Sequence, residues 1–271
     1  ADKEVMRAGG GAGLCTEAMI STCTSLMDHF VRRLVLAPLD EVLARHAKQA
    51  GETGKGKRAL EKEQDAELRE VYSSDCCAAA CQCLHHLADI VLIHHLQDAE
   101  LLRITQMCTA PFFHEGAEHL HMVQSCAMPV LQAVCATHGT HRDNVMREVF
   151  AGVASWHKVD RKDRCFELLP VGKGHIQMLS ALVLSLLQSC HRPPPPPRGA
   201  VAGGAGDGGD RAALAAAVGF VTQFAVKFGE SEKSSKKAER DHGSAYFSFL
   251  REFARDARSA CGLPEWPAAT L

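Results

Sequence analysis

Several things are scarce in this sequence, and each scarcity excludes something. Aromatic residues make up 6% of the 271 positions, with two Trp and two Tyr. The apolar fraction of 46% therefore rests on Leu, Ala, Val and Met, a mix that favours helices over sheets. Net charge is nearly absent, formally -2, so the chain is no basic polyelectrolyte and any footprint for nucleic acid must be local. No signal peptide is evident, and the most apolar run falls short of the roughly 20 residues that span a bilayer. No membrane is expected. No paired carboxylates stand in an apolar setting where acid–base pKa values could be tuned apart, and no local signature joins a Cys to a His as nucleophile and base. An enzyme is not expected, and no cofactor is implied.

Cysteine is the exception, at twelve. Most lie inside apolar helical stretches, which reads as free, buried thiols in a reducing compartment rather than as a disulfide scaffold. The densest group, C-C-x-x-x-C-x-C-x-H-H from Cys76 to His86, has zinc ligands in number but not in arrangement. Structural zinc sites set two close pairs apart on turns, whereas these residues follow one helix, so packing is favoured over metal. A second near-motif, GETGKGKR from Gly51 to Arg58, has the two glycines of a phosphate-binding loop and Lys57 after the second. Arg58 stands where that loop needs Ser or Thr for magnesium, and HAKQA before it is no buried strand. It reads as a flexible basic linker.

What is present is helix after helix. The run His175–Cys190, HIQMLSALVLSLLQSC, is apolar nearly all round and predicts a central helix buried among others. Residues 1–13 form a Gly-rich leader, expected to be disordered. Residues 14–47 carry N-terminal helices, the first with a stripe of Ile20, Cys23, Met27, Phe30, Val31 and Leu34 that Pro38 should break. Residues 48–70 read as a charged, solvated insertion, partly helical from Arg58. Residues 71–190 hold the main helices. Among their expected inward residues are Cys77, Cys81, Leu84, Ala88 and Val91, then Leu101, Leu102 and Thr105 with a stop at Pro111, then Val123, Ala127, Leu131 and Val134, then Met146, Val149, Val153 and Trp156. Residues 191–210, HRPPPPPRGAVAGGAGDGGD, form a Pro/Gly-rich insertion expected to be disordered. Residues 211–271 add further helices, with Leu214, Val218, Val221, Phe224 and Phe228 on one, and Tyr246, Phe249, Leu250 and Phe253 on the next. The sequence begins without Met and stops in PEWPAATL, where a helix starts. It is expected to be an excerpt of a longer chain. Without credible strands and with mostly short turns, the pattern predicts an all-α, HEAT-type α-solenoid of stacked antiparallel helical hairpins with disordered insertions.

One surface feature stands out, the basic turn KVDRKDR. Lys158, Arg161, Lys162 and Arg164 fall in it, and Arg142 and Arg147 lie on the helix before. Clustered Lys and Arg are sufficient for contact with phosphates. Arg142, Lys158, Arg161, Lys162 and Arg164 are the candidate DNA-phosphate contacts, although Asp160 and Asp163 dilute the charge.

Five segments resemble one family in its own order: HLADIVLIH (His86–His94), APFF (Ala110–Phe113), THRDNVMREVF (Thr140–Phe150), IQMLSALVLSLLQSC (Ile176–Cys190) and LPEWPAATL (Leu263–Leu271). They are similar to helices of the Nipped-B-like cohesin loaders, the large HEAT-repeat subunit of the sister-chromatid cohesion loading complex. Such proteins are hook-shaped HEAT solenoids without an active site of their own. The resemblance implies a nuclear, chromatin-associated segment that engages cohesin and DNA and stimulates cohesin's ATPase. The smaller loader subunit would bind a region outside this stretch. The basic turn departs from the family, which has a Pro-Ser/Thr-x-Lys-Arg arrangement where VDRKDR stands here. A generic α-solenoid scaffold or adaptor for another protein is the alternative reading, and a Cys/His metalloprotein is a third.

Overall fold

The structure is a computed structural model, and it describes residues 16–52, 57–73, 75–155, 164–168, 174–189, 208–233 and 237–261. The described chain is helical almost throughout. Helix α1 (Glu17–Phe30) runs through a π-helical turn (Val31–Leu36) into α2 (Ala37–Glu52). There follow α3 (Lys57–Tyr72), α4 (Asp75–Ile93), α5 (Asp98–Phe113), α6 (His121–Thr137) and α7 (Arg142–Ser155). A two-residue ladder, β1 (Phe166–Glu167) with β2 (His175–Ile176), leads into α8 (Met178–Ser189). Helices α9 (Gly208–Lys233) and α10 (Lys237–Ala260) complete it.

These helices stack in two layers. In one, α6 packs between α4 and α8; in the other, α5 lies between α1 and α7, and α7 rests on α10. Helices α5 and α6 join the layers, while α9 packs on α10 and α8. The all-α stack of helical hairpins read from the sequence is what the chain forms. The core runs continuously through it, from Ile20 and Val35 to Phe249 and Phe253. Helix α8 is buried on every side, with Leu179, Leu182, Val183, Leu184, Leu186 and Leu187 at most 3% exposed. Its serines are buried too, and Ser189 returns its hydroxyl to the Leu186 carbonyl at 2.6 Å, which satisfies a donor that the core would otherwise strand.

Several local expectations are corrected, each for a physical reason. Pro38 does not break the first helix. The π turn ends two residues before it, and the wider turn absorbs an extra residue where proline can neither donate nor tolerate a tight preceding turn. That extra residue shifts the phase. Val31, Val35, Leu36 and Leu39 are buried, while Cys23 and Leu34 face outward. Pro111 does not stop α5, which continues to Phe113. Leu102 is 41% exposed, and Ile104, Met107 and Cys108 fill the core there instead. On α9 the inward positions are Phe220 and Phe224, whereas Val218 and Val221 are half-exposed.

The stretch 48–70 is charged, as read, but it is no loose insertion: α2 enters it and α3 leaves it as a packed helix pair. Leu39, Val42 and Leu68 sit in the core. Arg45 meets Glu67 at 2.7 Å, and buried His114 and His119 lie 3.0 and 3.4 Å from Asp40 and Asp65. The glycine-and-lysine run therefore connects two helices, not a strand and a helix. The leader, Trp156, the side chain of Leu214, the 191–207 part of the Pro/Gly-rich stretch and the terminal PEWPAATL lie outside what the structure describes.

Helix α4 also has the length and hydropathy of a bilayer span, by composition alone. Its stripe of Cys77, Cys81, Leu84, Leu87 and Val91 is covered within the stack, chiefly by α6, while Gln82, His85, His86 and Asp89 face solvent. That two-sided character is the mark of a core helix. Burial, together with the neighbouring Cys126 and Cys77, pushes the Cys81 thiol up to about 12. A thiol held in that state is a packing group, not a nucleophile. Among the described residues no three His, Cys, Asp or Glu side chains converge as a metal site.

Candidate nucleic-acid interface

The five candidate phosphate contacts separate into three groups. Lys158, Arg161 and Lys162 lie outside the described residues. Arg142 and Arg164 are described, and the structure gives each of them an internal partner. Arg142 opens α7, is half-buried, and its Nε donates to the Cys135 carbonyl at 2.6 Å. A cation there sits on the C-terminal end of α6, where the helix dipole and the unpaired carbonyls favour it. Arg147, one turn further along α7, stays exposed.

Arg164 is committed more deeply. Its guanidinium forks onto α10, with Nη1 donating to Asp256 Oδ1 and Nη2 to Glu252 Oε2 at 2.9 Å. Asp256 is fully buried, and its second oxygen accepts the Gln177 backbone N–H at 3.1 Å. The clasp therefore holds three pieces of chain together: the start of β1, the start of α8 and the inner face of α10. Planar, bidentate pairing of this kind is what arginine supplies and lysine does not. Burial by itself would raise the Glu252 carboxyl. The hydrogen bond from Arg164 and the charges of Arg255, Arg164 and Arg251 outweigh it and hold the group below its ordinary range. The same carboxylates keep the Arg164 guanidinium above its ordinary value against the opposing effect of burial.

The hairpin beside the clasp is equally fixed. Phe166 faces Ile176 and Glu167 faces His175, and the Leu168 N–H closes onto the Gly174 carbonyl at 2.9 Å. Gly174 has φ of 109°, a left-handed backbone that a side chain would strain. A sequence reading that saw no strand misses this ladder because two residues carry no alternation. On the far side, Phe150, Phe220, Phe224, Tyr246, Phe249 and Phe253 form one aromatic cluster, with ring centroids 4.3 to 5.8 Å apart. It seats α10 and α9 against α7, and the Tyr246 hydroxyl reaches the Phe150 carbonyl at 3.5 Å.

Thus Arg164, just ahead of β1, is tied to the stack through α10. Sequence reasoning missed Glu252 and Asp256, yet they left a signal. They occupy core positions among Phe249, Phe253 and Ala260, and acids on the buried stripe of a helix demand a cation.

No protein-family model matches the chain. In sequence it is 29% identical over 205 residues to the Nipped-B-like proteins of Mus musculus and Homo sapiens, a match covering 70% of this chain and 7% of each relative. Nipped-B-like protein A of Danio rerio is 28% identical over 204 residues, again across 70% of this chain and 8% of the relative. The chain therefore spans a small fraction of the length of these relatives. The similarity agrees with the motif resemblance and with an all-α stack: the chain is similar to one segment of the Nipped-B-like proteins.

Proposed function

We propose that this chain is a non-catalytic HEAT-repeat segment of a cohesin-loading factor, acting in the nucleus on chromatin. The observation that carries this reading is the agreement of two independent features. A sequence match to the Nipped-B-like proteins covers 70% of the chain, and the described residues form a two-layered stack of helices. A stack of this kind suits the role, because each hairpin touches only its neighbours and the whole presents a long surface to macromolecules. In this reading the segment engages cohesin subunits and DNA, promotes cohesin loading and stimulates cohesin's ATPase as part of the longer protein. The smaller loader subunit binds elsewhere.

DNA contact falls to Lys158, Arg161 and Lys162, with exposed Arg147 beside them. It is made to phosphates and carries no base specificity. Arg142 and Arg164 serve that surface from behind, as anchors of its two flanks. Co-purification of the tagged chain with cohesin subunits tests the partner directly. Capture that survives nuclease treatment supports the reading; no capture under conditions where the longer relatives bind would reject it.

A further inference from the structure

Among the buried polar side chains of the described core, Asp256, Gln177 and Gln124 fall along one line. At one end of that line Arg164 meets Asp256, and Asp256 accepts the Gln177 backbone N–H. At the other end the Gln124 side-chain Nε2 donates to the carbonyls of Pro111 and Ala117, both at 3.0 Å. This double donation fixes which way the Gln124 amide faces, because a flip would set its oxygen against two carbonyl oxygens. Gln124 Oε1 therefore points away from both carbonyls, and it is buried without a protein donor. Gln177 Oε1, one residue before α8, is in the same condition.

The two glutamines are 3% and 1% exposed. Both line one small cavity of about 20 Å³, with Phe112, Cys165 and Leu179 among its other walls. Buried amide oxygens left without donors cost stability, and native interiors satisfy them. Two acceptors on one cavity call for a ligand that brings two hydrogens and is small enough to enter. A water needs roughly 10–15 Å³ and two to four polar partners.

We propose that this cavity binds one structural water, which donates one hydrogen to Gln124 Oε1 and the other to Gln177 Oε1. It joins α6 to the head of α8. It also completes a buried polar thread from the clasp on α10, through Gln177, to Gln124 and the corner between α5 and α6. The thread crosses both layers of the stack, so the anchor behind the basic turn is tied to the central helix as well as to α10.

A crystal structure of the 271-residue chain, at a resolution that orders interior waters, tests this. The expected result is a single peak within hydrogen-bond distance of both oxygens, lost in the near-isosteric variant Gln177→Met. An empty cavity, or either glutamine rotated so that its oxygen takes a protein donor, overturns the proposal. Should the variant fail to fold, the unmodified chain still decides the matter in solution. Nuclear Overhauser transfer from a long-lived water to the Gln124 side-chain amide supports the site, and no such transfer overturns it.

Discussion

Two interfaces of this molecule solve the same packing problem with opposite materials. Between α4 and α6 the buried faces hold no aromatic ring and mix small side chains with aliphatic ones: Cys77, Ala80, Cys81 and Ala88 beside Leu84 and Val91 on one helix, Ala127, Ala133 and Cys135 beside Val123 and Leu131 on the other. Around α7, α9 and α10 it is built from six aromatic rings. Small side chains let two helix backbones approach closely, and many modest contacts share the stabilisation. Large rings concentrate it in a few residues and demand particular geometry. The α4–α6 seam should therefore resist truncation and fail on enlargement, while the aromatic cluster should do the reverse. The aromatic end is also where the charged clasp lies. The part of the stack next to the basic turn is held by few, strong, long-range contacts.

The sharpest way to break that contrast is Phe224→Ala. The ring is fully buried and touches four of the others. Its removal should cost about 3–5 kcal/mol of unfolding free energy, cavity included, measured by denaturant titration. A loss no larger than a single buried methyl group would contradict the concentration of stability in this cluster.

Next in size is Arg164→Met, which leaves buried Asp256 without its cation and should cost about 3 kcal/mol. The clasp also has a pH signature. Glu252 has its folded pKa held below the unfolded value, so the unfolded chain binds its proton first as pH falls. The stability it contributes is present above the unfolded carboxylate range and is lost as pH drops through the folded value. In Arg164→Met that acid-side loss should shrink. An identical acid limb in both proteins would separate Glu252 from the clasp.

The smallest expected change tests the other seam. Ala127 is fully buried on α6, and Ala127→Leu should cost about 1–3 kcal/mol by forcing the helices apart. A neutral or stabilising result would mean the seam has spare room and is not close-packed.

Much of this architecture was legible in the sequence, and what escaped did so for identifiable reasons. The central helix α8 and the inner stripe of α4 announced themselves because burial there follows helical spacing without interruption. The π turn escaped because an inserted residue changes phase without changing composition. Helix α3 reads only in part, from Arg58, because its surface is charged and Leu68 is its one fully buried position among those described. The clasp escaped because Arg164 lies 88 and 92 residues from its partners, a separation that no local pattern encodes. For the same reason Arg164 reads as surface charge, whereas Arg142 has a local partner, the Cys135 carbonyl 7 residues away.

The proposed contact between the basic turn and DNA phosphates is tested most directly by a salt titration of DNA binding. The double charge reversal Arg161→Glu and Lys162→Glu should weaken binding to duplexes of unrelated sequence alike. It should also reduce the slope of log affinity against log salt by about 2, since each lost phosphate contact removes nearly one unit. A variant that binds with the slope of the unmodified chain would contradict it.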